Sequence, residues 1–147
     1  MKTILCLLSA ILLIECSAQN CNEANSLLSV RKRKVGLTEY VIFTLMKPAT
    51  SLVEVTDAQP PFIQDGSGQT VHVSGCKFKK ITFKNIVWTC KTKIISGSTS
   101  LVKQLKNIGQ LEGIISYIIG YSCNTKSIVN YDYDDGDKKK VVLRLRR

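Results

Sequence analysis

Apolar and polar positions alternate along residues 75–90, a stretch that also holds two cysteines, the only tryptophan and several lysines. From 86 to 94 the even positions are mostly apolar and the odd positions mostly polar, which is the period of a half-buried strand. Earlier in the stretch the apolar positions change from even to odd numbers at Lys79-Lys80. One extra residue there restores a common inner face. We therefore predict a central β-hairpin that turns at Lys84-Asn85 and carries a β-bulge at Lys79-Lys80.

Three further segments have the composition of strands. Residues 39–46 are β-branched and aromatic with little polar relief, which favours a central strand covered on both faces. Residues 51–56 are a second candidate strand. Residues 111–123 are a third, with glycines as kinks or bulges, although a buried helix has a similar pattern. Residues 57–68 have the Pro-Pro and Asp-Gly composition of a loop.

The apolar period changes after residue 96. Four apolar residues recur there at helical spacing, namely Leu101, Val102, Leu105 and Ile108. Ser98 or Ser100 can cap the first turn, and Gly109 can close the last. The pattern predicts one short amphipathic helix near residues 100–109.

The clearest local hairpin signal lies near the end of the sequence. Residues 128–134 and 137–145 flank Asp135-Gly136, a favoured pair for a type I′ turn. In that register Asp132 faces Lys139. The alternation points Val141, Leu143 and Leu145 inward and Arg144 and Arg146 outward.

The first residues have the three parts of a secretory signal. Lys2 is the positive region, residues 4–14 are apolar, and residues 16–18 form a small-residue cleavage site. The apolar run is shorter than the roughly 20 residues of a membrane span, which favours a signal over an anchor. We therefore expect a signal peptide at residues 1–18 and a single secreted, extracellular β-rich domain at residues 19–147.

Removal of that signal leaves an even set of cysteines, namely Cys21, Cys76, Cys90 and Cys123. In an oxidising compartment this set predicts two disulfides, for which three connectivities exist. The central hairpin places Cys76 diagonal to Cys90, so the geometry favours Cys21 and Cys123 as their outside partners. The fold prediction is all-β, or β-rich α+β: a disulfide-stabilised antiparallel β-sandwich-like domain with one short helix.

The high positive charge is the feature that most distinguishes this sequence from that of an ordinary globular protein. The chain carries 21 basic and 11 acidic residues, a formal net charge of +10. A strongly basic face attracts sulfated glycans, lipid headgroups or acidic proteins. The candidate anion-binding residues are Arg31, Lys32, Arg33, Lys34, Lys77, Lys79, Lys80, Lys91 and Lys93. Lys32-Arg33 is also a dibasic pair that a convertase could cleave.

No catalytic or metal-binding pattern emerges, so we expect neither an enzyme nor a cofactor. The aspartates between residues 132 and 137 lack the glycine and glutamate positions of a calcium-binding EF-hand loop. A solvated turn balanced by the lysines at 138–140 fits them better. The only histidine, His72, lies between two valines without a nucleophile-elbow serine in the chain, which favours a structural role.

These observations predict a secreted, non-enzymatic binding protein that acts through cationic faces on an anionic extracellular target, in host defence or at the matrix. Nucleic acid is a less natural target outside the cell. One alternative is a carrier of a small apolar ligand or lipid in the sandwich interior, lined by Val41, Phe43, Trp88, Ile115 and Ile118. Another is a cytokine-like receptor ligand. The simplest alternative is that the positive charge has no binding role and only keeps the protein soluble.

Overall fold

The structure, a computed structural model, describes residues 21–90, 95–96 and 101–147. Within these residues the chain forms strands and no helix, which confirms the all-β prediction. The strands are β1 (Leu27–Val35), β2 (Thr38–Met46), β3 (Leu52–Ala58), β4 (Phe62–Ile63), β5 (Thr70–Val71), β6 (Lys77–Lys84), β7 (Ile95–Ser96), β8 (Val102–Leu111), β9 (Ile114–Tyr121), β10 (Ser127–Asp135) and β11 (Lys138–Arg146). No helix long and apolar enough to cross a membrane therefore occurs in the described residues.

The strands form two main antiparallel sheets. The front sheet has the order β1-β2-β11-β10, and the back sheet has the order β3-β6-β9-β8-β7. β4 and β5 pair separately as a two-stranded ribbon. The predicted strand at 39–46 is β2, which lies between β1 and β11, and the predicted strand at 51–56 is β3, which lies at the edge of the back sheet. The strand predicted within 111–123 is confirmed for Ile114–Tyr121, which is β9, but Leu111 ends β8 and Gly113 lies in the turn between the two strands. Gly120 is in unbroken register with β6, so the predicted kink or bulge there is wrong.

One apolar cluster fills the space between the two main sheets, in a sandwich-like arrangement. Alternate residues of β2 and β11 point into it and meet alternate residues of β6 and β9. The ring of Phe43 lies at its centre, 4.9 Å from the ring of Phe83 and 5.4 Å from that of Tyr117. The opposite face of β2 is only half-buried at Tyr40 and Ile42, so β2 is fully covered on one face and not on both.

A second, smaller core lies on the outer surface of the back sheet. The β4–β5 ribbon places Phe62 against Ile108 and Ile118, and Phe78 packs beside them. The ribbon is held down by a hydrogen bond from the Asp65 amide to the Ile108 carbonyl oxygen, 2.7 Å. The segment after the ribbon also lies close to the sheet, because a Cβ atom on Gly120 would collide with the carbonyl oxygen of Ser74.

We expect Gly120→Ala to lower the free energy of unfolding by about 2 kcal/mol, because the added methyl group forces residues 73–75 away from the sheet. Gly136→Ala is the matched control, since its Cβ would meet nothing within 4 Å and only its positive φ of 62° opposes the change. Urea denaturation measures both effects. Amide hydrogen exchange at Cys76, whose N–H donates to the Tyr121 carbonyl oxygen, should accelerate in the Gly120 variant alone; unchanged exchange there would contradict the close approach.

The predicted helix near residues 100–109 is wrong, because residues 102–111 form strand β8. β8 contains two irregularities in its pairing with β9, one between Asn107 and Gly109 and the other between Val102 and Gln104. The extra residue puts Val102 and Leu105 on the same inner face, although they are three positions apart. Ile108 faces the second core instead. A bulge and two cores therefore produced the spacing that resembled a helix.

The predicted central hairpin over residues 75–90 is also wrong. β6 pairs with β3 and β9 in unbroken register, without a bulge at Lys79-Lys80. The apolar phase changes because Phe78 faces the second core whereas Ile81 faces the main core. Residues 86–90 form no returning strand; Thr89 makes a single parallel bridge to Leu27. Within the predicted second arm, positions 91–94 lie outside the described residues.

The hairpin of β10 and β11 is confirmed, with a turn shifted by one residue. Asp135 pairs with Lys138, so the loop residues are Gly136-Asp137. Gly136 has positive φ at the first loop position and Asp137 does not, as in a type II′ turn. This change moves the register of the two strands by two residues, so each residue stays on its predicted face of the sheet. Val141, Leu143 and Leu145 are buried, and Arg144 and Arg146 are exposed, as predicted.

The predicted disulfide partners are confirmed. Cys21 is bonded to Cys90, and Cys76 is bonded to Cys123. The reason for the prediction was wrong, since the two inner cysteines do not face each other across a hairpin. Cys76 lies just before β6, and its amide donates to the carbonyl oxygen of Tyr121, close to Cys123. Cys90 lies beside Leu27, close to Cys21.

Candidate anion-binding face

Most of the cationic side chains that point outward from the strands lie on the outer surface of the front sheet. Val41 and Phe43 of β2 point into the main core, so the alternate residues Tyr40 and Ile42 point outward. Residues of β1 and β11 that pair with outward-pointing residues of β2 point outward as well. We call this surface the cationic face. Its cations are Arg31, Arg33, Lys138, Lys140, Arg144 and Arg146, and its single carboxylate is that of Asp135.

Alternation divides the basic run of β1 between the two sides of the strand. Arg31 and Arg33 are opposite Ile42 and Tyr40 and belong to the cationic face. Lys34 belongs to the other side of this edge strand. Lys32 is opposite Val41 in register, yet its side chain lines the same groove as Arg31 and Arg33. Lys34 lines a small cavity of about 170 Å³ at the end of the sandwich.

Four arginines form the most open part of the face, and we call them the arginine quartet: Arg31, Arg33, Arg144 and Arg146. Arg33 and Arg144 are both in register with Tyr40, one on each side of it. Strand geometry sets them about 10 Å apart, with their strand neighbours about 7 Å along each strand. All four are exposed, and none makes an ion pair with a described residue.

The other end of the face is more nearly neutral. The Nζ atom of Lys140 lies 3.6 Å from a carboxylate oxygen of Asp135 and donates to Thr44 Oγ1 at 3.2 Å. Lys138 lies 3.8 Å from Asp137. With Arg31 and Arg33 these lysines line an open groove of about 590 Å³.

Aromatic and apolar side chains are interleaved with the cations. Tyr131 and Tyr133 on β10 are stacked at 6.4 Å between ring centroids. Val142 lies on this face yet is only 2% exposed, so longer side chains on neighbouring strands cover it. The face therefore offers ring surfaces beside its charges.

The acidic cluster of the hairpin is matched by lysines of the same chain. Asp132 lies 2.9 Å from Lys139, and Asp134 lies 2.7 Å from Lys47. Across the described ranges, no three His, Cys, Asp or Glu side chains group as ligands for a metal ion.

The remaining predicted anion-binding residues do not join the cationic face. Lys77 and Lys79 lie at one end of the sandwich, where Lys79 is paired with Asp57 at 2.9 Å. In the same region burial raises the pKa of the Tyr121 phenol above its usual value. Lys80 points to the outer surface of the back sheet, on the opposite side of the molecule from the quartet. Lys91 and Lys93 lie outside the described residues.

Two members of the quartet, Arg144 and Arg146, are not among the anion-binding residues that the sequence predicts. Arg144 and Arg146 alternate with buried leucines, which is a readable signal of an outward face. Their position beside Arg33 depends on the pairing of β11 with β2, which connects residues on the order of 100 positions apart and has no local signature.

The other predicted residues occupy separate places. Val41, Phe43 and Ile115 pack inside the main core, Ile118 belongs to the second core, and Trp88 is 37% exposed. The five proposed lining residues of an apolar ligand therefore do not surround one space. His72 is exposed between Val71 and Val73, which face the second core.

The candidate site is thus a cationic sheet face whose arginine end is open and whose lysine end is partly neutralised. No protein-family model matches the chain, and no curated protein or solved structure shows significant similarity to it.

Proposed function

We propose that the protein is a secreted, non-enzymatic binding protein whose cationic face holds an anionic extracellular target. The observation that carries the proposal is the arginine quartet. Its four side chains are exposed and without ion pairs to described residues, whereas the lysines of the adjacent hairpin are matched to carboxylates. The two disulfides and the signal-like first residues support an extracellular location.

Arginine suits this role for chemical reasons. Its planar guanidinium can donate two parallel hydrogen bonds to a sulfate, phosphate or carboxylate group, and it stays charged at every physiological pH. The quartet lies on paired strands, so its backbone positions are set by sheet hydrogen bonds. A sheet face with charges spaced about 7 to 10 Å apart fits a chain-like or surface-bound anion better than a single small one.

The test compares two pairs of substitutions that remove the same charge. Arg33→Gln with Arg144→Gln removes the two cations beside Tyr40. Lys80→Gln with Lys106→Gln removes two cations placed in the same way beside Ile118 on the back sheet. Heparin affinity should fall about tenfold or more in the arginine variant, because each lost charged hydrogen bond contributes about 1.5–3 kcal/mol.

The measurement is retention on immobilised heparin and on a sulfonate exchanger of matched charge density, in a salt gradient. We expect the native protein to elute from heparin at the higher salt, with the arginine variant losing that difference and the lysine variant keeping it. Equal losses in the two variants would mean that net charge alone drives retention, and the proposal would fail.

A further inference from the structure

Strand β10 is a long edge strand with few of the usual protections. Edge strands invite pairing with another chain, and natural proteins block them with charged side chains, especially lysine, or with proline, bulges or short length. β10 has nine residues, no proline, glycine, lysine or arginine, and unbroken register with β11. By contrast, the other edge of the front sheet, β1, has a register shift and four cations.

The hydrogen-bonding groups of β10 that point away from the sheet can be assigned from the hairpin. In a two-residue hairpin the flanking pair, here Asp135 and Lys138, exchanges hydrogen bonds, and alternate pairs do so along the ladder. Odd-numbered residues of β10 therefore bond to β11. The N–H and C=O groups of Ile128, Asn130, Asp132 and Asp134 point outward, and no described residue bonds to them.

The strand also exposes apolar and aromatic side chains to solvent. Val129, Tyr131 and Tyr133 lie on the cationic-face side and are 41%, 40% and 47% exposed. The three aspartates of β10 would repel a partner, but each lies within 4 Å of a lysine of its own chain, namely Lys139, Lys47 or Lys140. The edge is therefore close to neutral and partly apolar.

We propose that β10 pairs antiparallel with β10 of a second copy of this chain, about a two-fold axis at Tyr131. In this register all nine residues of one β10 overlap those of the other. The free backbone N–H and C=O groups of one strand lie opposite those of the other and can bond to them. It sets Ile128 opposite Asp134 and Asn130 opposite Asp132, so that no aspartate directly faces another. On the cationic-face side Val129 meets Tyr133, and the two Tyr131 rings meet, which are favourable cross-strand neighbours.

The product is a closed dimer with one continuous eight-stranded sheet, because the two-fold axis uses the same edge on both copies. Both arginine quartets then lie on one side of that sheet, with the two Arg144 positions about 20 Å apart. This arrangement goes beyond the proposed function: it concerns self-association, and it would make binding to a long anion bivalent.

The test is the mass of the oxidised protein by sedimentation, over two orders of magnitude in concentration and without polyanion. We expect the mass to rise from one chain to two and then stop. Asn130→Pro removes one outward N–H that the β11 ladder does not use, so the fold should survive and dimerisation should be lost. Asn130→Ala changes the same side chain but keeps the N–H, and should dimerise like the native protein.

Two further measurements keep the proposal open to refutation if the proline variant folds poorly. Tyr131→Lys sets two like charges together at the two-fold axis and should also give a monomer. Added salt should strengthen dimerisation, because it screens repulsion between two chains of net charge +10, whereas it should weaken binding to heparin. A native protein that stays monomeric at every concentration, or that grows beyond two chains, would overturn the inference and leave the heparin result unaffected.

Discussion

Replacing Phe43 by alanine is expected to lower the free energy of unfolding by about 4 kcal/mol. Its side chain is fully buried and its ring contacts those of Phe83 and Tyr117 across the gap between the sheets. Truncation therefore removes contacts to both sheets and leaves a cavity where the two layers meet. Because the surrounding strands are held by their hydrogen bonds, the cavity should close only in part.

Ile42→Ala is the matched control for this prediction, because Ile42 is the preceding residue on the same strand and points to the half-buried outer surface. We expect it to cost about 1 kcal/mol, since less apolar surface is lost there. Equilibrium urea denaturation, monitored by circular dichroism, gives both values. Similar costs for the two substitutions would contradict the assignment of odd-numbered β2 residues to the core.

Removing the Cys21–Cys90 disulfide is the second large change. Its cysteines are 69 residues apart in the sequence, and loop-closure entropy predicts a loss of about 4 kcal/mol when a loop of that size is opened. The Cys76–Cys123 disulfide spans 47 residues, for which the expected loss is also about 4 kcal/mol. Chain entropy alone therefore hardly distinguishes the two.

The effects of removing the two disulfides should differ in which backbone contacts are lost. Cys21–Cys90 secures residues 86–90 beside Leu27, where the backbone bonds are those from Leu27 N–H to Trp88 O and from Cys90 N–H to Leu27 O. We expect Cys21→Ser with Cys90→Ser to speed amide exchange at Leu27 and Cys90. Cys76→Ser with Cys123→Ser should leave those amides protected. Faster exchange at Leu27 in both variants, or in neither, would show that the disulfide does not secure this contact.

How much of this fold the sequence predicts depends on how local each signal is. The β10–β11 hairpin could be predicted because alternation and a turn sequence lie within about 20 neighbouring residues. β2 was recognised by its β-branched and aromatic run. In both cases the side-chain period and the backbone turn specify the element without reference to distant residues.

The errors arose where one strand serves two cores. β6 sends Ile81 to the main core and Phe78 to the second core, so its apolar positions follow no single phase. In β8 the irregularity after Val102 changes the phase again. Periodicity assumes one buried face and an unbroken strand, and both assumptions fail here. The candidate site was only half predicted for a related reason: its β1 arginines form an obvious run, while its β11 arginines reach them through a distant pairing.

The position of β11 between β2 and β10 also has a consequence for how the protein folds. The β1–β2 and β10–β11 hairpins can each form from neighbouring residues, but the front sheet is complete only when Thr38–Met46 finds Lys138–Arg146. Such pairings across a long intervening chain close slowly, because the entropy of the loop is lost before the contacts are gained. The arginine quartet draws two members from each hairpin, so it does not exist until that late step. Recovery of heparin binding during refolding should therefore lag behind the signal of hairpin formation, and it would report completion of the sheet.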